Sequence, residues 1–194
     1  MNVLRALFAT LLVLMTATPL RAEQARYELD PEHITVAFLV DHIGYAKVLG
    51  MFRAARGNYS FDEATATLGA LRIEVDTQSV FSNFASRDRH LKSADFLNSS
   101  EFPRMVFTAN GAKRTADRTF EIVGQLELLG RSQPLTLTAT WNKSGASPID
   151  KTYTMGVSAR GSFKRSAYGM NYAVANGWVG DDVELIIEFE AKRK

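Results

Sequence analysis

The side chains best able to do chemistry in this chain are three histidines, each with acids close in sequence: His33 with Asp30, His42 with Asp41, and His90 with Asp88 and Asp95. Histidines and carboxylates together could ligate a divalent metal or pass a proton to a nucleophile. The spacing argues against both. No two histidines stand four residues apart, the separation that puts two ligands on one helical face. In a regular strand, His33 and His42 also fall on opposite faces. There is no G-x-S-x-G elbow, and Gly161-Ser162-Phe163 lacks the strand-to-helix context that would expose a serine nucleophile. The chain has no cysteine, so thiol catalysis, iron–sulfur clusters, Cys-ligated zinc and disulfides are excluded.

The elements around these residues alternate with a period of two, which predicts strands. Ile34, Val36, Phe38, Val40 and His42 share one face of a first strand, whose other face carries Thr35, Ala37, Leu39 and Asp41. Val48, Gly50 and Phe52 follow. Leu71, Ile73 and Val75 alternate with Arg72, Glu74 and Asp76, and Met105 and Phe107 repeat the pattern. Ile122, Gly124, Leu126 and Leu128 come next, then Leu135 to Trp141, Met155, Val157, Ala159, Gly161 and Phe163, and finally Val183, Leu185, Ile187 and Phe189. Turn signals stand at Arg56-Gly57-Asn58, Ala109-Asn110-Gly111, Gly130-Arg131-Ser132, Ser144-Gly145 and Asn176-Gly177. About eight strands with short turns and no alternating helices predict an all-β barrel or sandwich. The exception is a helical insertion around residues 83–97, with Ser82 as its expected N-cap. An eight-stranded barrel is just wide enough to be filled by side chains or to hold one slender ligand, and periodicity leaves the two open.

The first residues read as an export signal. Arg5 precedes the apolar run of residues 6–15, and Pro19 and Ala22 mark a break and a cleavage point. The run is shorter than the roughly 20 residues a membrane span needs. A signal peptide of residues 1–22 leaves one domain, residues 23–194, bound for the periplasm. Cleavage removes Arg5 and Arg21 from 23 basic side chains, and the 21 that remain match the 21 acidic ones. The basic residues are interspersed with acids, so no nucleic-acid footprint is expected.

Several short motifs, in order, resemble the YceI-like lipid/polyisoprenoid-binding family of exported bacterial proteins. They are Tyr27-Glu-Leu-Asp-Pro-Glu-His33 with Gly50-Met-Phe52, Arg87-Asp-Arg-His-Leu-Lys-Ser-Ala-Asp-Phe96 with Phe102-Pro103, Gly124-Gln-Leu-Glu-Leu-Leu-Gly130, Arg165-Ser-Ala-Tyr-Gly-Met170 and Val179-Gly-Asp-Asp-Val183. Ile34 stands where that family usually has a serine. The resemblance implies a lipocalin-like, eight-stranded antiparallel barrel that holds a long isoprenoid, quinone-like or fatty-acyl chain, with no cofactor and no established catalysis. It also implies a possible homodimer and transient membrane contact.

On that reading the tunnel is lined by Val36, Phe38, Val40, Phe52, Leu71, Ile73, Val75, Phe107, Leu126, Val157, Phe163, Leu185 and Ile187. His42 is expected at the barrel mouth, hydrogen-bonded to a ligand head group or to the helical segment. His90 is expected to pair with Asp88, Asp95 or a backbone carbonyl, and Arg165 to bridge Asp181 or Asp182. A periplasmic enzyme or redox accessory acting on a quinone-like head group is the competing reading. A filled barrel acting through its surface is a third.

Overall fold

Alternating apolar and polar residues become strand along most of residues 24–194, the part of the chain described by this computed structural model. The expected signal peptide, residues 1–22, lies outside the described residues. The strands are β1 (Ala25–His42), β2 (Ala46–Phe52), β3 (Ala55–Asp62), β4 (Thr67–Asp76), β5 (Val80–Phe81), β6 (Arg104–Ala109), β7 (Lys113–Ala116), β8 (Thr119–Leu128), β9 (Arg131–Ala146), β10 (Tyr153–Lys164) and β11 (Val179–Arg193). Among the described residues there is one α-helix, α1 (Ala85–Lys92), between β5 and β6.

The sheet runs β11-β10-β9-β8-β6-β4-β3-β1 and closes where β1 pairs with β11, every pairing antiparallel. β2 and β3 serve as one interrupted neighbour of β1: residues 36–42 pair with 52–46, and residues 25–28 with 61–58. The ring is therefore the expected eight-stranded antiparallel barrel, and closure leaves no long edge to recruit other chains. Along β4 the buried side chains are Leu68, Leu71, Ile73 and Val75, while Arg72 and Asp76 face solvent. Outside, Arg56 and Arg72 both reach Glu74 at 2.7 Å. Such exposed pairs add little stability; the inward stripe holds the wall.

Local chemistry departs from expectation in four places. Arg56-Gly57-Asn58 is no turn but lies inside β3, where a Cβ on Gly57 would stand 2.4 Å from the Arg72 carbonyl oxygen. The glycine there permits close strand approach. Ser144-Gly145 lies within β9, and the turn follows at residues 147–152, closed by the Lys151 N–H donating to the Ser147 carbonyl. Ser82 is not the N-cap, since α1 begins at Ala85, three residues beyond it and out of reach of its hydroxyl. Instead Asp88 reaches back from the first turn and accepts from the Ser82 N–H at 2.7 Å and hydroxyl at 2.6 Å. Finally, β1 shifts register against β11 between Leu29 and Ile34, and consecutive Leu29 and Asp30 are both buried. Regular alternation fails at this bulge, so it cannot place His33 relative to His42.

Candidate ligand-binding site

The interior has two levels. The larger is a cavity of about 350 Å³, bounded at its upper end by the β1–β2 hairpin, α1 and the loop before β11. Its walls hold Val36, Phe38 and Val40 from β1, Phe52 from β2, Ile73 and Val75 from β4, Phe107 from β6 and Leu126 from β8. Phe163 from β10 and Leu185 and Ile187 from β11 complete the set expected from alternation, with His42 at the rim. Leu71 and Val157 do not reach this cavity. They line a smaller void of about 70 Å³ beneath it, which shares Ile73, Leu137 and Ile187 with the upper one. The reason is geometric: alternation assigns a side chain to the inner face, not to a height along the barrel.

Two phenylalanines of the cavity wall lie close against it because glycines make room for their rings. A Cβ on Gly50 would stand 2.2 Å from Phe38 Cζ, and one on Gly124 would stand 2.4 Å from Phe107 Cζ. Each ring thus lies over a neighbouring strand's bare backbone. Phe38 pairs directly with Gly50 across the β1–β2 ladder.

The roof comes from segments without strand periodicity. Leu91, Phe96 and Leu97 enter from α1 and the turns after it, and Met170, Tyr172, Ala173 and Trp178 from the loop between β10 and β11. The rings of His90, Phe96 and Tyr172 pack together, with centroids 4.8–5.3 Å apart. His90 Nε2 lies 2.9 Å from Asp95 Oδ2, one of its expected partners.

Arg165 corrects the sequence expectation. Its guanidinium bridges no carboxylate; it donates to the carbonyls of Gly180 (2.7 Å), Met170 (2.9 Å), Tyr172 (2.9 Å) and Val179 (2.8 Å). Asp181 instead accepts from the Ser166 N–H and hydroxyl. Arg165 is 1% exposed, and burial pushes its pKa down against the pull of Asp181. A planar fork of donors satisfies several converging carbonyls where a lysine could not, so this side chain staples the roof loop to the start of β11.

The opposite end is sealed. Glu63 accepts from the hydroxyls of Tyr27 (2.5 Å), Ser144 (2.6 Å) and Tyr153 (3.0 Å). Burial opposes its charge, but the three hydrogen bonds outweigh that and hold the carboxyl below its ordinary range. Burial, then the bond to Glu63, drives the Tyr27 phenol well above its usual pKa. Tyr27 stacks on Tyr59 at 5.1 Å, closing the lumen behind them.

Among the described residues, one group has metal-ligand geometry: Asp30, Glu32 and His33 offer atoms within 4.8 Å of one another. Lys192 already places its ammonium 2.9 Å from Asp30 Oδ2, so the group carries its own cation. His33 sits in this cluster beside β11 and takes no part in either void, whereas His42 and His90 both border the upper one. No serine hydroxyl among the described residues is hydrogen-bonded to a histidine ring.

Comparison with known proteins agrees with this architecture. The YceI-like domain model matches residues 27–191. Protein YceI of Salmonella agona is 35% identical over 191 residues, covering 97% of this chain and 96% of its own. Among solved structures, the Campylobacter jejuni YCEI protein superposes with a TM-score of 0.72 at 27% identity, covering 79% of this chain and 90% of that one. A polyisoprenoid binding domain from Saccharophagus degradans superposes with a TM-score of 0.62 at 11% identity, covering 89% of this chain and all of that one, and shows a common fold alone. The barrel, its helical insertion and the extent of the match together establish that the chain belongs to the YceI-like domain family.

Proposed function

We propose that this protein is an exported carrier or reservoir that holds one long isoprenoid or fatty-acyl chain inside the barrel while crossing the periplasm. The observation that carries this reading is the cavity of about 350 Å³, whose walls are almost wholly aliphatic and aromatic side chains. Such a space matches a ligand recognised by length and apolarity, not by a dense set of polar contacts. The fold shared with a polyisoprenoid binding domain supports an isoprenoid as one such ligand.

Energetics favour a carrier over a trap. Each buried CH₂ is worth about 0.8 kcal/mol relative to water, but the donor compartment for a lipid is a membrane. Transfer from one apolar medium to another is nearly neutral, so loading and release remain reversible.

Native mass spectrometry of the purified protein, with organic extraction to identify the adduct, tests the proposal. The wild type is expected to carry a long-chain lipid. Gly50→Ala should lower occupancy several-fold while the barrel stays folded, because the new methyl forces the Phe38 ring towards the lumen. A folded wild type that carries no lipid, and takes none up from micelles or vesicles, would overturn the carrier reading.

A further inference from the structure

Four of the eight large apolar side chains left in solvent among the described residues gather at one end of this barrel. Ile43 and Tyr45, at the tip of the β1–β2 hairpin, are 47% and 88% exposed, and Tyr172 and Trp178, in the loop facing them, are 44% and 59% exposed. The two segments are tied together by the Ile43 N–H donating to the Trp178 carbonyl at 2.9 Å. Ile43, Tyr172 and Trp178 also border the upper cavity, so the greasy tip and the cavity mouth coincide.

Ile43 is costly twice over. It is a β-branched residue held at φ 53°, in the left-handed region such residues avoid, and it leaves nearly half its surface in water. Neither feature serves the packing of the barrel. An outlier of this kind points to use of the side chain it displays.

From these observations we propose that the mouth docks on an anionic phospholipid bilayer, the hairpin tip and Trp178 entering the headgroup layer so that the cavity opens towards the acyl chains. This deepens the carrier reading and rests on it. Tyr and Trp are the residues that settle at a membrane–water boundary. The third side of the mouth, α1, carries Arg89 and Lys92, and among the described residues no carboxylate lies within 4.0 Å of either. Asp88 and Asp95 beside them are engaged by Ser82 and His90. The tip is also narrow: a stable protein–protein interface needs roughly 20–30 residues a side, far more than this rim offers a second copy of the chain.

Flotation with vesicles of equal parts phosphatidylglycerol and phosphatidylcholine, followed by tryptophan emission, tests the proposal. The protein should float with these vesicles, more weakly with phosphatidylcholine alone or at high salt, and its emission should shift to the blue. Trp178→Phe should keep flotation but lose the shift, since the other tryptophan, Trp141, lies in β9 at the lower level of the barrel, away from the mouth. Ile43→Ser combined with Tyr45→Ser should lower vesicle affinity by about tenfold or more. Ile149→Ser, which removes an exposed isoleucine from the turn between β9 and β10, should change nothing.

Three results would overturn the docking proposal: a wild type that retains lipid in native mass spectra but floats with neither vesicle; flotation indifferent to the tip variants or equally lowered by Ile149→Ser; or a concentration-dependent dimer, without vesicle binding, that the tip variants dissolve. Flotation that depends on the tip in a protein retaining no lipid would support docking and count against the carrier reading alone.

Discussion

The two ends of this barrel are built from the same inward alternation and finished in opposite ways. At the sealed end the inward residues are large and aromatic: Tyr27 stacks on Tyr59, and Phe61 meets Phe120 and Trp141 edge to face. Glu63 draws the Tyr27, Ser144 and Tyr153 hydroxyls into one network across the floor. At the open end the walls are mainly aliphatic, two of the phenylalanines lie over glycines, and the roof is a loop held by Arg165. Side-chain volume, not strand geometry, decides which level is filled. A fold that packs one end of its lumen and leaves the other hollow can fill its core at one level and keep room for an apolar chain at the other.

The first way to break this comparison is to remove the staple of the open end. Arg165→Met should cost about 3–4 kcal/mol in urea unfolding, because four carbonyls lose a buried charged donor. It should also raise amide exchange across residues 170–180 more than anywhere else. Uniform exchange would mean that the roof is not a separate unit. At the sealed end, Glu63→Ala should cost about 2 kcal/mol by leaving the Tyr27 hydroxyl buried without its acceptor, yet lipid occupancy should hold. Loss of lipid in a folded Glu63→Ala protein would show that floor and cavity are not independent.

The smallest expected effect concerns pH. The hydrogen bond from His33, joined by one from Lys192 and opposed by burial, lowers the Asp30 pKa to about 2. A depressed carboxyl stabilises the fold above its ordinary pKa and loses that contribution as pH falls through the folded value. Stability should therefore decline by about 1 kcal/mol as pH drops from about 4 towards 2. Asp30 raises the pKa of His33 in turn, so the contribution of His33 is present below its ordinary value and fades as pH rises through the folded one. Thermal melts of Asp30→Asn should flatten on the acid side; an unchanged acid slope would place the acid-labile pairing elsewhere.

How much of this was legible in the sequence depended on periodicity. Alternation placed the strand walls and twelve of the fourteen proposed site residues around the upper cavity, and misplaced Leu71 and Val157 only in height. It could not reach the roof, since Phe96, Met170, Tyr172 and Trp178 stand in turns and loops where no period relates position to direction. Composition misled at Gly57, where close strand approach and a turn ask for the same residue. The partners of Arg165 are backbone carbonyls, which every sequence has and none advertises.

The central claim, a hollow upper barrel occupied by an apolar chain, is tested most directly by methyl NMR of the protein mixed with a fatty acid that carries a nitroxide midway along its chain. The account predicts broadening centred on Leu126, Leu185 and Val36, weaker at Met155 and Val157 in the lower level, and none at the outward Val123 and Ile149. Broadening confined to the outer surface, or absent while the fatty acid binds, would contradict it.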